Sequence, residues 1–403
     1  MSTSLLYHAL GIRGYRHMRT GYVGGRVIFT IEQEPGELQC PGCGSRRVIR
    51  RGKTMRTFKG VPIGSRPVAI VLGVQRVECK DCAVVRQVRV RFAEQRRTYT
   101  KRFERYALEL CRFMTIQDVA RHLQVGWDVI KDMHKRYLRW RFRRPKLKWL
   151  EQIAIDEISI GRGHRYLTVV LDLASGAVVF VGEGKGARAL LPFWKRLRRS
   201  RAEIAAVATD MSPAYISAVL EKLPQATLVF DRFHVIKLFN DKLSELRRRV
   251  QRGAEGLHKQ VLKGTRWLLL KNPQNLHDSR NERERLQEAL RLNQPLATAY
   301  YLKEDLREFW EQADKASAER FLDDWIARAE ASEIGILKDF AKTLRVHRFG
   351  LVAWYDYPIS TGPLEGTNNK IKTIQRRAYG FRDRQYFTWR IYGLHETKYA
   401  LVG

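Results

Sequence analysis

The chain has 403 residues, 75 of them Lys or Arg and 42 Asp or Glu, and its net charge of +33 exceeds what solubility requires and points to a polyanionic partner. No apolar run approaches the roughly 20 residues needed to span a bilayer, and the first residues lack the charged, apolar and small-residue order of a signal peptide. A membrane protein is thereby disfavoured and a soluble, cytoplasmic chain expected. At about 150 residues per domain the length implies two to four units, and 44% hydrophobic residues suffice for packed cores.

Residues 1 to 150 hold 33 basic and 11 acidic side chains, so most of the excess charge lies in the first third. Four of the five cysteines form two pairs, Cys40-Pro41-Gly42-Cys43 and Cys79-Lys80-Asp81-Cys82, with 35 residues between them. A two-residue gap lets both sulfurs of a knuckle reach one ion, and two knuckles supply the four thiolates of a closed structural zinc site. Disulfides do not suit a reducing compartment, and a redox pair needs only one such motif. Val48 to Gly52 and Val68 to Leu72 read as short strands between the knuckles, a zinc-ribbon pattern. Arg46, Arg47, Arg50, Arg51, Lys53 and Arg56 crowd this module and suit phosphate contact. Cys111, among apolar residues, reads as core.

Residues 102 to 140 fit a helix-turn-helix. Arg102 to Met114 reads as a supporting helix, Thr115 caps Ile116 to Leu123, and Gln124-Val125-Gly126 turns into Trp127 to Trp140. The spacing of Ile116, Val119, Ala120, Leu123, Val125, Val129 and Ile130 is that of two short helices sharing a small core. The exposed face of the last helix, with Lys131, His134 and Lys135, is then expected to approach a DNA groove. An ordinary helical hairpin explains the apolar spacing equally well, and the basic surroundings favour DNA.

From Glu151 the pattern changes to strands: Ile153 to Ile160, Tyr166 to Leu173 and Ala177 to Gly182, separated by Gly161-Arg162-Gly163 and Ser175-Gly176. A helix from Ala187 to Arg199 leads to a strand ending at Thr209, and a helix from Ala214 to Leu223 leads to the strand Thr227 to Phe230. A three-stranded meander followed by helix and parallel strands is the order of a ribonuclease H-like α/β fold. It places Asp156 on the first strand and Asp210 after the fourth, side by side at one sheet edge. Asp172, in Leu171-Asp172-Leu173, reads as an ordinary strand-end aspartate that satisfies loop amides. Between Phe239 and Val346 the chain is rich in Leu, Arg, Glu and Ala, which predicts a helical insertion with Trp267, Trp310 and Trp325 as core residues.

Glu365 follows Gly362-Pro363-Leu364 and opens a helix to Ala378. With Gly362 as cap it falls at the third helical position, where Glu commonly serves as a capping residue. Together with Asp156 and Asp210 it makes an oxygen-only cage suited to Mg²⁺ or Mn²⁺, and two such ions activate the attacking oxygen and stabilise the leaving oxygen of an in-line phosphoryl displacement. Asn368, Asn369 and Lys372 recur on the same helical face as Glu365 and are expected to meet DNA.

The paired CxxC ribbon, the helix-turn-helix, Ala154-Ile155-Asp156-Glu157, Ala208-Thr209-Asp210-Met211, Phe230-Asp231-Arg232-Phe233-His234 and Glu365-Gly366-Thr367-Asn368-Asn369-Lys370-Ile371-Lys372 together resemble the ISL-three family of insertion-sequence transposases with a DDE core. The resemblance covers nearly the whole chain. It implies binding of terminal inverted repeats and target DNA by a homodimer, with metal-dependent strand cleavage and strand transfer. Asp231 and His234 resemble an Asp-x-x-His motif of other DDE superfamilies, which implies accessory residues, the alternative being a pair that simply orders the sheet edge. The expected organisation is a zinc-ribbon domain over 1–98, a helix-turn-helix over 99–148, the catalytic core over 149–239 and 346–403, and the helical insertion over 240–345. A zinc-ribbon regulator explains only the first third, and a structure-selective nuclease of the same fold leaves both reading modules unused.

Overall fold

Strands form where apolar side chains alternate, and the clearest case is Val27, Phe29 and Ile31, each buried while its neighbours are half-exposed. The structure, a computed structural model, describes residues 5–395 apart from Arg144 and Arg162, so the turn residue Arg162 lies outside the described residues. It divides into two units, residues 1–141 and 142–403.

In the first unit a short helix, α1 (Leu5–Leu10), precedes an antiparallel pair, β1 (Tyr15–Val23) and β2 (Arg26–Gln33). Gly24 and Gly25, both at positive φ, make the turn between them. A long hairpin follows, β3 (Val48–Ile63) against β4 (Arg66–Cys79), with β5 (Val85–Gln87) pairing the end of β4. The sheet order is β1-β2-β4-β3, and β2 runs parallel to β4. The two short strands expected between the knuckles are thus pieces of one long hairpin, and β1 and β2 are additions to the expected ribbon. Phe58, Ile70, Leu72 and Val77 lie in the core of this sheet.

Three helices complete the unit: α2 (Lys101–Leu110), α3 (Ile116–His122) and α4 (Trp127–Phe142). The Thr100 hydroxyl accepts the Phe103 amide at 3.1 Å and the Thr115 hydroxyl accepts the Asp118 amide at 3.2 Å, so both helices start on side-chain caps. Cys111, Val119, Ala120, Leu123, Ile130 and Met133 share one small core, as the spacing requires of a helix-turn-helix.

The second unit is built on β6 (Gln152–Gly161), β7 (Arg165–Asp172), β8 (Val178–Glu183), β9 (Ala206–Thr209) and β10 (Thr227–Phe230), in the order β10-β9-β6-β7-β8. The first three are antiparallel, whereas β9 runs parallel to β6 and β10 parallel to β9. Helices α5 (Ala187–Ser200) and α6 (Pro213–Lys222) make the two crossovers and pack on each other. Asp172 is buried, and its carboxylate accepts the Ala174 and Ser175 amides at 3.3 and 3.0 Å, the loop role expected of it.

After β10 the chain is helical through α7 (Arg232–Gly253), α8 (Gly256–Leu262), α9 (Arg266–Leu270), α10 (Glu282–Arg291), α11 (Gln294–Arg307), α12 (Lys315–Ala331), α13 (Gly335–Val346) and α14 (Arg348–Val352). Phe239 of α7 packs edge-on against Trp325 of α12 and Phe340 of α13, with centroids 5.9 and 4.8 Å away, and the Trp325 indole donates to the Leu302 carbonyl at 2.8 Å. Trp310 and Trp325 are therefore core residues. Trp267 is not, being 64% exposed. Five-residue α9 buries Leu268 and Leu269, which turns Trp267 outward under the Arg266 guanidinium, 4.9 Å from its ring centroid. Helices α15 (Gly362–Arg377) and α16 (Arg384–Tyr392) then return to the sheet, α15 on β6 and α16 on β8. Among the described residues no helix is long and apolar enough to cross a membrane.

Gly182 sets the approach of α5 to the sheet, because a Cβ there overlaps the Ala189 carbonyl oxygen, a backbone atom that cannot rotate away. Gly182→Ala is expected to destabilise the protein by about 1–3 kcal/mol. Gly21→Ala, with nothing within 4 Å of its Cβ, serves as the strand control. Urea denaturation of both variants checks this, and equal midpoints contradict it.

Candidate active site and DNA-facing elements

Strand register brings the first two acidic residues together. Ala154 of β6 pairs with Ala208 of β9, so Asp156 and Asp210, each two residues further on, stand level at the carboxyl edge of neighbouring parallel strands. Phe230 of β10 pairs with Thr209, which puts Asp231 at the same level one strand further out. Asp156 is half-buried, with one oxygen accepting the Glu157 amide at 2.7 Å and the other accepting the Asn368 side-chain amide at 2.8 Å. Burial pushes its carboxyl up from the usual range, the Glu157 amide and His234 pull it back down, and the Asp210 charge raises it further. Asp210 accepts the Ser212 amide at 3.0 Å through one oxygen.

Helix α15 delivers the third acid. It begins at Gly362, with Thr361 as its N-cap and Pro363 in its first turn, so Glu365 is its fourth residue and not its third. The Thr361 side chain makes no cap bond, and the exposed Glu365 carboxylate has no hydrogen-bond or ion-pair partner among the described residues. The capping explanation of this glutamate therefore finds no bond to support it. Three residues on, Asn368 faces the sheet and holds Asp156, and further along the Gln375 side chain donates to the Ile160 carbonyl of β6 at 2.6 Å. Helix α15 thus lies along β6, with Glu365 a turn from the Asp156 contact.

Asn368 differs from its expected place on a DNA-contacting surface. It is only 7% exposed, because it sits where α15 meets β6, while Asn369 and Lys372 are exposed. Its side-chain carbonyl oxygen is buried with no hydrogen-bond partner among the described residues. An orphaned oxygen on the side chain that holds the Asp156 carboxylate is a donor of the kind a hard divalent cation takes. The oxygens of Asp156, Asp210 and Glu365 are not drawn as close as a ligand shell: among the described residues, only the four cysteines form a group of three or more candidate metal ligands within 4.8 Å of one another.

Asp231 has a different occupation. It is 2% exposed and caps α7 by accepting the Phe233 amide at 2.6 Å through Oδ1. Its Oδ2 accepts both the amide and the hydroxyl of Thr361, the latter at 2.9 Å. One carboxylate thereby holds the start of α7 and the start of α15. His234, one turn into α7, is half-buried and close enough to Asp156 for its charge to act there. The local sequence signal for this tie is Ser360-Thr361 ahead of Gly-Pro, a helix-start pattern. Sequence reasoning does not reach Glu157 and Tyr215. The tyrosine hydroxyl lies 3.3 Å from Glu157 Oε2 and 3.1 Å from the Thr168 hydroxyl, linking α6 to β6 and β7.

The zinc knuckles are formed. Cys40 Sγ lies 3.6 Å from Cys82 Sγ and Cys43 Sγ 3.5 Å from Cys79 Sγ, close to the roughly 3.8 Å of four sulfurs placed tetrahedrally about an ion at 2.3 Å. The Gly42 and Asp81 amides point at Cys40 and Cys79 sulfurs at 3.3 and 3.4 Å. The Cys43 and Gly42 amides lower the Cys40 thiol to about 6, whereas at Cys43 the Ser45 amide is outweighed by the neighbouring thiols, which push it up to about 12, so it is the sulfur geometry that supports the metal site. In the helix-turn-helix, Lys131 and Lys135 are half-exposed on α4, whereas His134 is 6% exposed and does not share their face. Ile130, Met133 and His134 follow the three-and-four spacing of the buried stripe, which turns the imidazole inward.

Residues 153–391 match a family model described as a transposase, residues 88–138 one described as the helix-turn-helix domain of transposase family ISL3, and residues 37–82 one described as the zinc-finger of transposase IS204/IS1001/IS1096/IS1165. The chain is 34% identical over 364 residues to the transposase for insertion sequence element IS1001 of Bordetella parapertussis, covering 88% of each. It is 28% identical over 389 residues to the transposase for insertion sequence element IS1557 of Mycobacterium tuberculosis, strains CDC 1551 / Oshkosh and ATCC 25618 / H37Rv, covering 90% of this chain and 87% of the relative.

The knuckle geometry predicts about one zinc per chain with no open coordination position. Metal analysis of purified protein is expected to find it. Cys43→Ser is expected to lose it and to lower the melting of the first unit, leaving that of the second near its original value. Zinc-free protein whose first unit melts normally contradicts the assignment.

Proposed function

Because this chain belongs to the ISL3 family of transposases, we propose that it cuts DNA at the ends of its own insertion sequence and joins the freed 3′ ends to target DNA, with Asp156, Asp210 and Glu365 as its catalytic carboxylates. The observation that carries the site assignment is the β6–β9 register, which sets Asp156 and Asp210 level, together with the Asn368 bond that lays the Glu365 helix against Asp156. The element order and the sheet order β10-β9-β6-β7-β8 support a ribonuclease H-like core over 149–239 and 346–403, interrupted by a helical insertion over 240–345. The ribbon over 1–98 and the helix-turn-helix over 99–148 are the DNA-reading modules, and Lys131 and Lys135 are their proposed groove or phosphate contacts.

The three carboxylates, with the Asn368 carbonyl oxygen beside them, hold divalent cations of the magnesium class. Bound there, such ions activate the attacking oxygen and neutralise charge on the leaving oxygen of an in-line displacement. Asn368 fixes the Asp156 rotamer through its amide. Asn369 and Lys372, exposed on α15, hold backbone phosphate beside the carboxylates. A homodimer on two paired ends is the working assembly. A regulator without catalysis is disfavoured by the family, and nothing in the site favours a non-joining nuclease.

Asp210 and Asp231 both end strands, but both Asp231 oxygens are committed to helix starts, whereas Asp210 has one oxygen without a hydrogen bond among the described residues. Asp156→Ala, Asp210→Ala and Glu365→Ala are therefore expected to lose roughly 1,000-fold or more of cleavage while binding terminal DNA normally and melting near wild type. Asp231→Ala is expected to be the variant that melts early, by about 2–4 kcal/mol, because it removes a cap and strands a buried amide. End-labelled duplex cleavage, gel shift and thermal melting on the four variants check this. If Asp210→Ala cuts and joins while a well-folded Asp231→Ala does neither, the ligand assignment is overturned.

A further inference from the structure

One aromatic residue has no structural reason for its position. Tyr379 lies just past α15, is 101% exposed, and takes φ +50, a left-handed conformation for which glycine is the ordinary residue. The turn itself is well made: the Tyr379 amide donates to the Arg376 carbonyl at 3.0 Å and the Gly380 amide to the Gln375 carbonyl at 2.9 Å, with Gly380 also at positive φ. Two residues later Phe381 stacks on Phe387 of α16, centroids 4.6 Å apart and rings 22° from parallel. At the near end Gln375 is bonded to β6. The tyrosine is thus held out from a turn anchored on both sides, and its ring contributes nothing to a core.

Its surroundings are cationic. Arg376, Arg377, Arg382 and Arg384 are exposed in the same segment, and the one acid among them, Asp383, caps α16 by accepting the Tyr386 amide at 2.9 Å. An exposed π-face among guanidinium groups matches a ligand with both phosphates and flat bases, whereas an acidic protein surface offers no partner for the ring. The distance is also suggestive of DNA. Asn368 marks the level of Asp156, and the nine residues of helix from there to Arg377, at 1.5 Å each, put the start of the turn about 14 Å away, or roughly four nucleotide steps of 3.4 Å.

We propose that Tyr379 inserts its ring against an unstacked base of the bound element end, about four nucleotides from the phosphodiester that is cut. The inference rests on the proposed function, in that it requires DNA to run along α15 from the carboxylates. Arg376, Arg382 and Arg384 hold the flanking phosphates, and the rigid turn lets the ring enter without first being ordered.

The test uses the full chain and duplexes from the element's own ends, each with a single 2-aminopurine at successive positions from the cut. Without added divalent cation, the wild-type complex is expected to change fluorescence at least about twofold at one or two positions near the fourth nucleotide, about 14 Å along the strand. Tyr379→Ala is expected to lose that change and to cut roughly ten- to a hundredfold more slowly, and Tyr379→Trp to keep both. A duplex lacking the base at that position is expected to restore cutting by Tyr379→Ala, a rescue that a folding defect cannot produce. The same fluorescence profile with Tyr379→Ala as with wild type overturns the proposal, as does a substitution that changes only the mass of the complex, which assigns the ring to a contact between chains. Wild-type protein that binds these duplexes but never cuts them counts against the catalytic reading instead.

Discussion

The second unit depends on one buried carboxylate. After β10 the chain leaves the sheet for well over a hundred residues of helix, and the helix that bears Glu365 must still land on β6 in a fixed position. Asp231 sets that landing: it sits at the end of β10, caps α7 on one side and accepts from Thr361 at the start of α15 on the other. Two helix N-termini present partial positive charge and unpaired amides to the same anion, so the arrangement is electrostatically favourable without any cation. Departure and return of the helical segment are thereby fastened at a single point beside the proposed site.

The same logic separates three aspartates that look alike along the chain. All stand level at the carboxyl edge of parallel strands, yet their neighbours give them different fates. Asp231 is satisfied by donors from the fold. Asp156 is half-buried and raised by its own burial and by Asp210, with a neutral amide from Asn368 as its helix-side partner. Among the described residues Asp210 retains an oxygen without a hydrogen bond. Negative charge left undercompensated inside a chain of net charge +33 is a local feature of design and not a consequence of composition.

Legibility in the sequence followed the strength of local physics. The strand before Asp210 and the stretch Ile153 to Ile155 before Asp156 are short apolar runs buried on both faces, and the strand ends are legible to within two residues. The helix-turn-helix was equally readable, since Thr115 caps α3 and the apolar stripe is regular. Strand β1 was not, because its side chains from Arg16 to Val23 are exposed or half-exposed on both faces and carry no alternation. Strand β2 does alternate, and the Gly24-Gly25 turn before it was a usable signal. His134 and Trp267 failed for opposite reasons. A polar residue can complete a buried stripe, as His134 does beside Ile130 and Met133, and a large apolar residue can sit outside a helix too short to bury it, as Trp267 does on α9. Long-range ties such as Asn368 to Asp156, 212 residues apart, leave no local trace.

Charge placement and carboxylate geometry divide the labour of the proposed transposase between kinds of interaction with different tolerances. In that proposal phosphate contact from the basic first third, 33 Lys and Arg against 11 acidic residues over positions 1 to 150, is summed over many weak, screened pairs, so loss of any one changes affinity by a modest factor. Transition-state stabilisation by the three proposed carboxylates has no such redundancy, because their positions are set by one strand register and one helix landing. The elements that carry Asp156 and Glu365 are each tied at several points: β6 is paired on both sides by β7 and β9, and α15 is fastened at its start by Asp231, near its middle by Asn368, and close to its end by Gln375.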